Sequence, residues 1–167
     1  MVSPRQEKDI IIQIIKNFKG IETSEHKIKQ LAKAVCNRFG KHEIKDTKYE
    51  ISIAVVDDNE IRELNRKFLN SGTNTDCISF DLSDDEDGLK VFDLIVNGEM
   101  AIRQANLRGH SSQAELMLYI THGLLHNLGF DDSTKSRALE MHKTEDKILR
   151  EFGYGLVYNK DTRTQEH

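Results

Sequence analysis

The segment "THGLLHNLGFDD", residues 121–132, places two histidines four residues apart in the most apolar part of the chain. Residues four apart on an α-helix lie on one face with Cβ atoms about 5–6 Å apart, so His122 and His126 can offer both imidazoles to one ion. Gly129 then supplies the left-handed residue that ends a helix. The returning chain brings Asp132 within reach of the same point. The segment predicts a helix that ends in a metal site.

Two imidazoles and one carboxylate leave the fourth position of a tetrahedral ion to water, which is the pattern of catalytic zinc. Glu115, two turns before His122, shares its helix face and is predicted to orient it. Two alternatives stay open. A histidine pair at this spacing also arises by chance, and Asp132 could cap the next helix while Asp131 serves as the ligand. Four other histidines are expected at the surface, and His110 is left unassigned: His26, His42, His142 and His167.

The helix that carries the histidine pair is predicted over residues 112–128 and is apolar almost all round. Ser112 and Glu115 are expected to form a capping box at its start. A helix without a polar face is buried rather than laid on a surface. Its apolar side chains are Leu116, Met117, Leu118, Tyr119, Ile120, Leu124 and Leu125.

The remaining pattern alternates strands and helices without a repeat or an internal linker. One strand is expected to be buried, because residues 9–15 are a β-branched run. The other expected strands are 49–56, 75–82 and 94–102, with an acidic surface loop over 83–90. The other expected helices follow the caps Ser24 and Asp57 or occupy residues 136–153. This organisation predicts one domain over residues 1–158 and a disordered tail over 159–167.

Composition limits the functional classes. The chain has 167 residues, of which 37% are hydrophobic and 31% charged, so it should form one globular domain with a core. No apolar run reaches the roughly 18 residues of a membrane span, and no signal peptide is recognisable, so a cytoplasmic location is expected. The net charge of -4 argues against coating nucleic acid by bulk electrostatics. Cys36 and Cys77 are expected to be buried thiols.

The spacing of the metal motif resembles the signature of the YbeY family, bacterial rRNA maturation endoribonucleases with the pattern His-Gly-x-Leu-His-Leu-x-Gly-Tyr-Asp-His. Here it stands as "HGLLHNLGFDD". The similarity extends over most of the chain. Four further segments carry it: "VVDDNEIRELNRKF" (55–68), "TDCISFDL" (75–82), "NGEMAI" (97–102) and "GHSSQAELMLYITHG" (109–123). The resemblance implies an α+β domain with a small, mostly parallel four-stranded sheet packed on helices, a zincin-like metal helix, and zinc as the metal.

The activity that the resemblance implies is metal-dependent, single-strand-specific cleavage of RNA in rRNA maturation and ribosome quality control. The implied partners are rRNA or other single-stranded RNA and components of the small ribosomal subunit. The bound ion would polarise a water or the scissile phosphate. We assign catalytic roles to His122 and Arg66, and substrate contacts to Arg66, Lys67 and Arg62.

The chain departs from the family pattern at five positions. The third metal-binding histidine is Asp132, whose carboxylate lowers the charge of the centre, makes bound water less acidic and also admits Mn²⁺ or Fe²⁺. The family arginine near the end of the "ELNRKF" helix is Leu69, which cannot grip a phosphate. The other departures are Phe130 for tyrosine, Asn74 for proline and Glu99 for aspartate.

Two other functions stay open. Zinc proteases with His-Glu-x-x-His use the glutamate as general base, and position 123 is glycine here, so a protease of that type is disfavoured while a related metallohydrolase for another substrate is not. The second alternative is a ribosome assembly factor without catalytic activity, in which the ion only fixes the helix. Cleavage of RNA, of peptides or of neither separates the three.

Overall fold

The structure is a computed structural model that describes residues 9–40, 47–84, 88–155 and 157. The predicted loop lies partly, and the predicted tail wholly, outside these residues. Nine elements occur in the described part of the chain: β1 (Ile10–Lys16), α1 (Glu25–Phe39), β2 (Lys48–Val56), α2 (Asp58–Leu69), β3 (Cys77–Asp81), β4 (Leu89–Asn97), α3 (Gly98–Arg108), α4 (Ser112–Asn127) and α5 (Lys135–Glu151).

The four strands form one mixed sheet in the order β1-β2-β4-β3. The pairs β1–β2 and β2–β4 are parallel, and β3 runs antiparallel to β4. The predicted α+β class with a small, mostly parallel sheet is therefore confirmed. The expected burial of the first strand is only half right: Ile10 and Ile12 are buried, whereas Ile11 is 61% exposed, because one face of this edge strand packs on the core.

One strand prediction extended too far. The strand expected over 94–102 ends at Asn97, and α3 begins at Gly98. The side chain of Asn97 accepts a hydrogen bond from the backbone N–H of Met100 at 3.1 Å, and this N-cap starts a helix where the apolar pattern suggested more strand. The whole of α3 was missed for the same reason.

The start of α4 also differs from the prediction. Ser111, not Ser112, is the N-cap, and its side chain accepts from the backbone N–H of Ala114 at 3.1 Å. Glu115 is fully buried and bonds to side chains outside this turn, so the expected capping box does not form. The other two predicted caps are confirmed, since Ser24 begins α1 and Asp57 begins α2.

Helix α4 lies at the centre of the molecule, as its apolar sequence predicted. It packs against β3 and β4 of the sheet and against the helices α1, α3 and α5. The main core lies between one sheet face and α1, α4 and α5, while a smaller cluster around Val56, Ile61 and Ile78 joins α2 to the sheet. No helix of the described residues is long and apolar enough to cross a membrane.

Helix α4 approaches the sheet closely at Gly123. A Cβ atom there would lie 2.7 Å from Sγ of Cys77 and 3.0 Å from Cδ2 of Leu94. A side chain at this point would therefore require Cys77 or Leu94 to shift. Gly123 lies between the two histidines in sequence, so this contact also sets how deeply the metal-binding end of α4 lies against the sheet.

We expect Gly123→Ala to destabilise the protein. Overpacking costs about 1–3 kcal/mol, and alanine recovers about 1 kcal/mol of helix propensity, so the net loss should be at most about 2 kcal/mol. Urea unfolding measures it. The same substitution in a Cys77→Ala background should cost much less, because the nearest clashing atom is gone. Equal losses in both backgrounds would contradict the steric explanation.

Candidate metal centre

Three side chains at the end of α4 converge on one point. Nε2 of His122 lies 3.0 Å from Nε2 of His126, with the two rings at 84°. Oδ2 of Asp132 lies 3.7 Å from Nε2 of His126. One ligand atom from each residue falls within 4.8 Å of the other two. The structure thus brings together the three residues that the sequence proposed.

The other ring nitrogen of each histidine is held by an acceptor. Nδ1 of His122 donates to Oε1 of Glu145 at 2.8 Å, and Nδ1 of His126 donates to the backbone carbonyl of Phe130 at 3.2 Å. A carboxylate and a carbonyl can only accept, so the proton of each neutral imidazole sits on Nδ1 and the lone pair on Nε2. Both lone pairs are therefore available on the side that faces Asp132, as a metal requires.

The distances suit a small ion. A tetrahedral zinc ion with Zn–N bonds of about 2.0–2.1 Å separates its ligand nitrogens by about 3.3 Å. The 3.0 Å between the two Nε2 atoms and the 3.7 Å from His126 to Asp132 lie on either side of that value. Two imidazoles and a carboxylate fit zinc, and the same donors also suit Mn²⁺ or Fe²⁺.

Glu145 is the buried partner that fixes His122. Its side chain is 1% exposed. Burial lowers the pKa of His122, but the hydrogen bond and the charge of Glu145 outweigh it, and the net pKa is raised. Burial likewise raises the pKa of Glu145, and the hydrogen bond from His122 together with the nearby ring of His142, 3.6 Å away, reverses this to a net lowering. The pair therefore keeps a carboxylate charge beside His122, a residue of the candidate metal centre.

The sequence left open whether Asp131 or Asp132 is the third ligand, and the geometry favours Asp132. The carboxylate of Asp131 accepts from the backbone N–H of Ser133 and pairs with Arg137 at 2.6 Å, which lowers its pKa to about 2. Thr134, rather than either aspartate, caps α5. Asp131 is committed to the turn, whereas Asp132 faces the histidines.

Glu115 does not orient His122, contrary to the prediction. Its carboxylate accepts from Nη1 of Arg108 at 3.0 Å and bonds to Nε2 of His110. The residue lies two turns away along α4, and Glu145 of another helix reaches the imidazole instead. Helical spacing correctly put Glu115 on the same face of α4 as His122. It could not predict that α5 packs there and brings Glu145 to the imidazole.

The sequence predicted no role for Glu145, and its placement of His142 at the surface was wrong. Nδ1 of His142 lies 3.6 Å from Oε1 of Glu145, its side chain is only 19% exposed, and its ring stacks on that of His122 at 6.5 Å. His26 is exposed, as expected, whereas His42 and His167 lie outside the described residues. A signal for Glu145 existed, because it falls on the buried face of α5 with Met141 and Leu149. A carboxylate on such a face needs a buried partner.

A cleft of about 370 Å³ opens beside His122. It lies between the segment that leads into β3 and the helices α3, α4 and α5. Tyr119 and Glu145 line it next to His122, so a substrate in this cleft would reach the metal centre from that side. Its full lining is Asn74, Thr75, Asp76, Met100, Gln104, Arg108, Leu118, Tyr119, His122, His142 and Glu145.

The three cations predicted for substrate binding lie on α2, and none of them lines the cleft. Arg62 donates to the side chain of Asn74 at 3.1 Å, at the rim of the cleft, while Arg66 and Lys67 are exposed and do not line it. The catalytic role of Arg66 therefore stays a prediction. Leu69, at the family arginine position, is 54% exposed. Among the described lining residues the arginine is Arg108, which the sequence did not single out.

Comparison with known proteins identifies the family of the chain. The family model described as "Endoribonuclease YbeY" matches residues 13–153. The chain belongs to the YbeY family. An endoribonuclease YbeY from Alkaliphilus metalliredigens is 34% identical over 141 residues, covering 81% of this chain and 90% of that protein. One from Staphylococcus aureus is 39% identical over 113 residues, covering 62% and 73%.

A solved structure is similar in fold. The solution structure of TM1509 from Thermotoga maritima matches with a TM-score of 0.56 and 24% identity, over 85% of this chain and 89% of that one. This likeness supports the α+β fold of this YbeY family member.

We expect Glu145→Ala to weaken metal binding about 10–100-fold, because His122 loses the acceptor that fixes its tautomer and orientation. Zinc titration against a competing chelator measures the affinity. Glu140→Ala, an exposed glutamate of the same helix, is the matched control and should bind normally. Normal affinity in Glu145→Ala would refute the orienting role.

A second prediction separates the two aspartates. Asp132→Ala should weaken zinc binding, Asp131→Ala should leave it unchanged, and Asp132→His should tighten it by restoring a third imidazole. The same titration tests all three variants. Weaker binding in Asp131→Ala with normal binding in Asp132→Ala would move the ligand by one residue.

Proposed function

We propose that this YbeY family member is a metal-dependent endoribonuclease that cleaves single-stranded RNA. The observation that supports the proposal is the position of the donor set: His122, His126 and Asp132 bring three ligand atoms together, and His122 also lines the cleft. The endoribonuclease names of the relatives supply the substrate class. An RNA strand, unlike a duplex, can adapt to a cleft of this size.

The residues of the chain have separate tasks in this proposal. His122 and His126 would hold the ion through Nε2, and Asp132 would add a carboxylate. A bound zinc ion supplies a positive charge that polarises a phosphate oxygen and acidifies water, which is worth several kcal/mol in such sites. Glu145 keeps the proton of His122 on Nδ1, so the ring stays fixed as substrate binds.

Several finer assignments belong to the same proposal. The native metal is zinc, and the substrate is rRNA matured together with components of the small ribosomal subunit in the cytoplasm. One domain over residues 1–158 carries the whole activity. Family membership and the donor set of the site support these assignments. Arg62 is the predicted substrate contact nearest the cleft, through its bond to Asn74.

One observation favours a second candidate, a ribosome assembly factor with a structural metal. Arg66 and Lys67 do not line the cleft, and Leu69 occupies the position of the family arginine. An RNA-cleaving site needs a cation near the phosphate to stabilise developing charge. If no residue fills that need, metal binding would serve stability alone.

We expect the zinc-loaded protein to cleave a single-stranded RNA oligonucleotide and to leave the corresponding duplex intact. His126→Ala should lose the metal, the cleavage and part of the thermal stability, since metal binding to the native state adds to folding stability. Arg38→Gln removes one partner of a surface ion pair with Glu151. Purified in the same way, this variant is the control and should cleave like the wild type. Stoichiometric metal without cleavage by the wild-type protein would favour the assembly factor.

A further inference from the structure

Arg108 ends α3 and lines the cleft that contains His122. Its side chain is 17% exposed, and Nη1 donates to Oε1 of Glu115 at 3.0 Å. Glu115 lies seven residues before His122 on α4, which at 1.5 Å per residue corresponds to about 10 Å along the helix axis. Arg108 therefore lines the cleft at a different level of α4 from His122, the one residue of the metal centre that also lines it.

Buried groups hold this arginine in place. Glu115 has no exposed surface and also bonds to His110, whose side chain is 6% exposed. Tyr119 lies one turn further along α4, and burial together with the nearby charge of Glu115 raises its pKa, so its hydroxyl stays protonated. A guanidinium fixed in this way loses little rotamer freedom when it binds a ligand.

The charges in the cleft are distributed unevenly. Asp76 and Glu145 are the carboxylates of the lining, and both act on the charge of His122. Among the described lining residues Arg108 is the one arginine or lysine, and Gln104 lies one turn before it on α3. An RNA strand that brings one phosphate to the metal centre has to bring a neighbouring phosphate along the cleft, where carboxylates alone would repel it.

We propose that Arg108 binds a phosphate that flanks the scissile phosphate. This inference rests on the proposed cleavage of RNA and names the part of the substrate that a second contact recognises. Arginine carries five N–H donors in a planar fork and grips phosphate bidentately, and Glu115 Oε1 accepts from Nη1. Arg108 thereby adds a cationic contact at a flanking phosphate rather than at the scissile phosphate.

The alternative is that Arg108 only forms a structural ion pair with Glu115. A structural pair affects the melting temperature and the metal site, whereas a phosphate contact affects the affinity for RNA and its dependence on salt. Each phosphate contact on a single strand contributes about 0.7 to the slope of log K against log salt. The two roles therefore have different readouts.

The test compares wild-type protein with Arg108→Gln and Arg108→Lys, all zinc-loaded, by fluorescence anisotropy on a single-stranded RNA and by cleavage of the same RNA. We expect Arg108→Gln to bind about tenfold more weakly, with a salt slope smaller by about 0.7, and to raise KM more than it lowers kcat. Arg108→Lys should keep the slope and lose a few-fold in affinity, because the charge remains while the fork is lost. Arg38→Gln should match the wild type.

A modified substrate tests the same contact without altering the protein. Uncharged methylphosphonate is introduced at one position at a time beside the cleaved bond. One flanking position should weaken wild-type binding about tenfold and leave Arg108→Gln unaffected. If wild type and Arg108→Gln bind all substrates with the same affinity and slope, the inference is wrong. If the wild type binds RNA through Arg108 but does not cleave it, the proposed function fails while the contact stands.

Discussion

The burial of α4 on every side is the constraint on which the rest of the structure depends. The helix packs on β3 and β4 and against three other helices, and at Gly123 it lies so close to the sheet that an added Cβ atom would overlap Cys77. Its last two turns carry His122 and His126, the histidines of the candidate metal centre. Because a buried helix cannot shift without disturbing the packing on all its faces, the positions of His122 and His126 are set by the hydrophobic core.

Much of this arrangement could be predicted from the sequence, because the relevant signals are local. The all-round apolar pattern of α4, the caps at Ser24 and Asp57 and the left-handed Gly129 each act within a few residues. The histidine pair follows from helix geometry alone. The boundary at Asn97 was missed because a side-chain cap competed with an apolar strand pattern, and the cap won.

The contacts between elements that are distant in sequence were harder to predict. Glu145 reaches His122 from 23 residues further along the chain, and only the packing of α5 on α4 determines that this carboxylate, rather than Glu115, is the partner. The pairing of Arg108 with Glu115 depends similarly on how α3 turns into α4. Helical periodicity identifies which residues share a face but not which element covers that face.

The exposure of the three metal-site residues increases from the interior outward. The side chain of His122 is 22% exposed, that of His126 31% and that of Asp132 47%. The two imidazoles belong to a rigid helix, whereas the carboxylate belongs to the short turn after Gly129. An incoming ion therefore meets Asp132 first, and a departing ion leaves past it. The turn that carries Asp132 would therefore govern how fast a metal ion exchanges.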